Sequence, residues 1–112
     1  MKSTISTLRG TLAVLAMATT ATSPALPGAP ATAIVHIKNF QYVPQDLNIR
    51  AGTTVTFVNG DDEAHTVSAV DKTFESGGMD TNDSWKHTFA RAGIYRYFCQ
   101  MHPYMKGTVT VR

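Results

Sequence analysis

The sequence holds a single cysteine, Cys99, among 112 residues, so no internal disulfide can staple the fold. It holds no acidic residue before Asp46, and no apolar run near the roughly 20 residues needed to span a bilayer. It lacks the charge excess that would mark a nucleic-acid or anionic-lipid surface. The formal net charge is +2, and beyond residue 33 eight basic residues face eight acidic ones. No stretch shows sustained helical periodicity with caps, which argues against helix bundles and α/β folds. A domain this small buries only a modest share of its surface, and such domains commonly add disulfides or a metal. With disulfides excluded, the composition points to a metal.

What is present begins with a leader. Lys2 and Arg9 precede a short apolar run from Thr11 to Ala18, which is the order of a secretory signal. The segment from Thr19 to Ala33 is rich in Ala, Thr and Pro (Pro24, Pro27, Pro30) and carries no core-forming pattern. It ends in Ala31-Thr32-Ala33, a small-x-small cleavage pattern, with Ala16-Met17-Ala18 as an earlier alternative. Residues 1–33 therefore read as a signal peptide with its cleavage region, and 34–112 as one domain in the periplasm or an equivalent exported space. No cysteine lies in the leader to accept a lipid. In an oxidising compartment an unpaired thiol is a liability unless something occupies it, which again favours a metal.

Past residue 33 the pattern is strand-like almost throughout. Alternating or β-rich runs fall at Ile34 to Phe40, Leu47 to Arg50, Thr53 to Asn59, His65 to Val70, Trp85 to Ala90, Ile94 to Phe98 and Thr108 to Val111. Turn signals separate them, among them Ala51-Gly52, Asn59-Gly60-Asp61-Asp62 and Ala92-Gly93. Seven short strands at this spacing predict an all-β antiparallel sandwich with Greek-key connections. The loop from Val70 to Trp85 is the least regular part, with room for one more short strand at Lys72 to Glu75.

Chemistry concentrates near the C-terminus. A strand ends at Cys99, a tight loop carries His102 and Met105, and another strand follows Gly107. Three soft or borderline donors thus lie within seven residues, and a fourth, His65, follows the turn at Asn59 to Glu63. One thiolate, two imidazoles and a weak thioether serve both Cu(I) and Cu(II), so one copper can change charge with little movement. Zinc would favour four strong donors, and Met is a poor member of such a set. Met79 and Met101 are read as gap-filling or surface residues, and His36 and His87 as strand-face residues. Asp61, Asp62 and Glu63 are read as a solvated turn.

The run Tyr95-x-Tyr97-x-Cys99-x2-His102-Pro103-x-Met105-x-Gly107 resembles the cupredoxin family of blue copper proteins. It is most similar to the amicyanin branch with its short ligand loop. The early Asn39-Phe40 with Pro44, and the strand Val55 to Asn59 ahead of His65, add to the likeness. The resemblance implies that Cys99 is the thiolate most strongly coupled to copper, His65 and His102 the imidazoles, and Met105 the axial thioether. It further implies that His102 reaches the surface as the electron port while His65 is enclosed. One position departs from the family: Thr66 stands where many members have an Asn that ties the two ligand loops together.

The functional expectation is a type 1 copper protein, a monomer that carries single electrons between redox protein partners. It is expected to bind no nucleic acid, and its mature chain not to enter the membrane. The alternative is an exported protein for copper storage, delivery or tolerance. An enzyme is the weakest reading, because copper oxidases and nitrite reductases need further copper sites and only His36 and His87 remain to supply imidazoles.

Overall fold

The computed structural model describes residues 31–112 together with Gly10, Ala13, Val14, Ala16 and Ala18. The remainder of the expected leader lies outside the described residues. Eight strands follow in order: β1 (Thr32–Lys38), β2 (Gln41–Val43), β3 (Asp46–Ile49), β4 (Thr53–Asn59), β5 (Ser68–Ala69), β6 (Ser84–Phe89), β7 (Gly93–Phe98) and β8 (Lys106–Val111). They form two four-stranded sheets, ordered β2-β1-β4-β6 and β3-β8-β7-β5.

Alternation is the reason these segments become strands, since successive side chains of a strand point to opposite faces. In β4 the buried residues Thr53, Val55, Phe57 and Asn59 alternate with half-buried ones, and β8 repeats the pattern with Gly107, Val109 and Val111. Val35, Ile37, Val55 and Phe57 from one sheet meet Tyr97, Val109 and Val111 from the other in a single core. Complete burial of one such Val, Ile or Phe stabilises the fold by roughly 1.5–3 kcal/mol. The all-β sandwich expected from the sequence is therefore the observed architecture.

Three features differ from the expectation. The sheets are mixed: β1 runs parallel to β4, and β3 parallel to β8. The run from Ile34 to Phe40 is strand only as far as Lys38, and a further strand lies beyond it. β1 stops at Lys38, Asn39 and Phe40 adopt positive φ of 53° and 58°, and the chain turns back into β2. The run from His65 to Val70 is strand only at Ser68–Ala69. Residues His65 through Ala69 are all buried, so no alternation exists to hold them on a sheet face. Their backbone finds the irregular loop instead: His65 exchanges both hydrogen bonds with Met79, and Ser76 bonds Val67 through both its N–H and its hydroxyl. The possible strand at Lys72 to Glu75 is a turn that buries Phe74, tied by the bond from the Ala69 N–H to the Phe74 carbonyl.

β1 begins at Thr32, and the Ala31 carbonyl accepts a hydrogen bond from the Thr54 N–H. A cut after Ala33 would thus trim the first residues of this strand.

Candidate metal centre

Two pieces of chain meet at one end of the sandwich. The first is the segment leaving β4, a turn over Asn59 to Glu63 followed by His65 and Thr66. The second is the loop joining β7 to β8, residues 99–105. The loop closes on itself through backbone bonds from the His102 N–H to the Cys99 carbonyl, from Met105 to His102, and from Cys99 back to Met105. It is thereby pinned at both ends. Gly107, just beyond it, stands opposite Tyr97 in β7, and any side chain there would collide with the tyrosine ring.

His65, Cys99 and His102 come together so that one donor atom from each lies within 4.8 Å of the others. Cys99 Sγ is 3.7 Å from Nδ1 of His65 and 3.6 Å from Nδ1 of His102. Donors about 2.0 to 2.3 Å from a shared ion sit about 3.5 Å apart, so the spacing fits a metal. His65 and Cys99 are fully buried, while the His102 side chain is 21 % exposed. Met105 is buried at the end of the same loop. The donor set of thiol and two imidazoles, with a thioether close in sequence, suits copper. Among the described residues no other cluster of three His, Cys, Asp or Glu donors is found.

Phe40 closes the site from the side. Its ring stands edge-on to His65 and to His102, with centroids 5.2 and 5.1 Å away, and the two imidazoles are themselves 5.0 Å apart. The left-handed backbone at Phe40, unusual for a bulky residue, is what aims the ring there. Thr66 supplies the tie between the two segments. Its hydroxyl accepts the Gln100 N–H at 2.9 Å and pairs with the Ser68 hydroxyl at 2.9 Å, while its own N–H points at Cys99 Sγ from 3.4 Å. A shorter side chain than Asn makes the connection.

The acidic turn is not simply solvated. Asp62 and Glu63 are exposed, but Asp61 is buried and receives three hydrogen bonds. They come from the N–H groups of Asn39 and Phe40, at 2.7 and 2.9 Å, and from the His65 ring, at 2.9 Å. Burial by itself would push the Asp61 carboxyl up, yet these bonds, led by Phe40, hold it below its ordinary value. Asn59 organises the same turn, accepting the Asp61 N–H and donating to the carbonyls of Glu63 and Met79. The sequence marks this stretch as a turn, but nothing in it signals that Asp61 reaches back to residues 39 and 40.

The other candidates fall where face residues belong. His36 is exposed on the outer side of β1, and Met79 is buried in the core. His87 points inward and stacks on Trp85, with Phe74 and Phe89 beside it. Met101 and Tyr104 are exposed around His102.

Residues 11–111 match the family model described as the cupredoxin-like domain. The chain is 36 % identical over 88 residues to an amicyanin of Paracoccus versutus, spanning 73 % of this chain and 67 % of that protein. Among solved structures, a purple cupredoxin from Nitrosopumilus maritimus superimposes with a TM-score of 0.69 at 34 % identity, covering 71 % of this chain and 99 % of the other. A copper-containing nitrite reductase from Thermus scotoductus matches with a TM-score of 0.66 at 32 % identity, but only 22 % of that chain is covered. The sequence motif, the two-sheet sandwich and the paired His-Cys-His donors agree with these likenesses, and the chain belongs to the cupredoxin family.

Proposed function

We propose that this protein is a one-electron carrier in which His65, Cys99 and His102 hold one copper ion, with Met105 as a weak axial donor. The observation that carries the reading is the convergence of the Cys99 thiol and two Nδ1 atoms in a buried pocket. Copper bound there supplies a Cu(I)/Cu(II) couple. The protein's part is to hold the donors still: Thr66 ties the two ligand segments, the loop bonds close residues 99–105, and Phe40 excludes water from the side. The 21 % exposure of His102 makes it the path for electrons, ringed by Met101, Pro103 and Tyr104, all exposed. The partners are then redox proteins that dock on this rim.

Export follows from the leader over residues 1–33, and the carrier acts as a monomer in the periplasm or an equivalent space. Among the described residues no helix is long and apolar enough to cross a membrane. We assign no enzymatic activity, because His36 and His87 lie on an outer face and in an aromatic cluster rather than in a second site. Burial of His65, Cys99 and Met105 favours retention of the ion over its delivery.

The test is optical. The purified copper-loaded protein should show an intense visible band from charge transfer out of the Cys99 thiolate, and Cys99→Ser should abolish it. A band that survives this substitution refutes the assignment. Copper that leaves for a chelating acceptor during repeated redox cycling would instead support delivery.

A further inference from the structure

Asp61 lies four residues before His65 and meets the nitrogen of that ring which faces away from Cys99. Its Oδ2 is 2.9 Å from His65 Nε2, while His65 Nδ1 is the atom 3.7 Å from Cys99 Sγ. An ionised carboxylate only accepts hydrogen bonds, so Nε2 must carry the proton, and this leaves the Nδ1 lone pair free to bind a metal. The carboxylate is fixed as well as charged. Its other bonds come from the Asn39 and Phe40 N–H groups of the turn that also aims the Phe40 ring, and the side chain is 9 % exposed. His102 has a much weaker counterpart: Glu63 Oε2 is 3.5 Å from its Nε2, on a side chain 62 % exposed to screening water.

A carboxylate behind a ligating imidazole orients the ring and raises its basicity. A fixed negative charge next to the ligand also favours the more positive of two metal states. We propose that Asp61 is a positioning residue that locks the tautomer of His65 and, by favouring Cu(II) over Cu(I), lowers the reduction potential of the centre. This rests on copper binding at His65, Cys99 and His102.

The experiment compares the copper-loaded protein with its Asp61→Asn variant at one neutral pH, reading the visible band, the affinities for Cu(II) and Cu(I), and the midpoint potential. The variant should keep the band while its Cu(II) affinity falls about 10-fold more than its Cu(I) affinity. For one electron that ratio is a rise of about 59 mV. A lowered melting temperature with an unmoved potential would overturn the proposal, because Asp61 would then only brace the Asn39-Phe40 turn. Should the variant fail to fold or to hold copper, nuclear magnetic resonance of the unmodified Cu(I) protein decides. A slowly exchanging proton on His65 Nε2 supports the proposal, and a rapidly exchanging one or a proton on Nδ1 overturns it. Failure of the copper assignment looks different, since the unmodified protein would then show no intense band at all.

Discussion

His65 and His102 present the same nitrogen to the same sulfur at nearly the same distance, yet their surroundings have little in common. His65 hangs from a segment whose backbone is bonded to the Met79 strand-like bridge, with Asp61 behind its ring and no exposed surface. His102 rides on a seven-residue loop, with solvent on one side and an exposed Glu63 as its nearest charged neighbour. The difference teaches how a small domain divides one task. The inner imidazole is immobilised by groups that never touch solvent freely, and the outer one gives up some of that support in return for contact with the outside. A site made of two inner imidazoles would be isolated from partners, and one made of two outer imidazoles would be loosely held.

The sharpest way to break this contrast is to remove each ring in turn. In His65→Gly the visible band should be lost and added imidazole should not restore it, because the gap is sealed by Phe40 and the core. In His102→Gly the band should be lost and then recovered on adding millimolar imidazole, since the gap opens to solvent. Recovery in both variants would show that the inner wall is not closed. A smaller effect should follow from Thr66→Val, which leaves the Gln100 N–H without its acceptor. Unfolding in urea should show a loss of about 1 kcal/mol, with the band retained. A band that shifts or disappears would mean that the tie sets ligand geometry as well as stability.

The smallest effect concerns His87, for which no hydrogen-bond partner is found among the described residues. Burial among Trp85, Phe74 and Phe89 holds the pKa of His87 below its usual value of 6.5. The folded state then binds fewer protons than the unfolded one, so stability falls as pH drops through about 6.5 and stops falling below the folded pKa. His87→Phe should flatten this part of the stability–pH curve, as read by thermal melts of the metal-free protein between pH 7.5 and about 5. An unchanged slope would show that another group causes the acid sensitivity.

Much of this was legible in the sequence, and the limits have physical causes. Strands β4, β6 and β8 largely alternate apolar and polar residues, and alternation is visible without coordinates. That Cys99, His102 and Met105 lie near one another is legible because they share one loop, where spacing is a direct statement about distance. His65 was harder to read, and it depended on family likeness rather than on any local pattern. The parallel pairing of β1 with β4 was not legible at all, since register between distant strands leaves no mark on either one. The burial of Asp61 is hidden for a related reason: its partners Asn39 and Phe40 stand about twenty residues away, and a turn rich in acidic residues is ordinarily wet. The single strand expected over His65 to Val70 failed because five consecutive buried residues satisfy their backbone with a loop, which mimics a β-rich run in composition.

The closed backbone of residues 99–105 has a further consequence. Cys99 and Met105 are joined to each other by a hydrogen bond across the base of the loop, and Phe98 and Lys106 are already paired as the last rung between β7 and β8. Everything between those two rungs can change length without altering the register of the sheet beneath it. Loop length enters closure cost only logarithmically, so a few added or deleted residues would disturb stability far less than they disturb the donors. The loop thus meets the scaffold at its base rung and through a few contacts of Cys99 and Gln100 with Thr66 and Glu75, so its length can change while the register of the sandwich stays as it is.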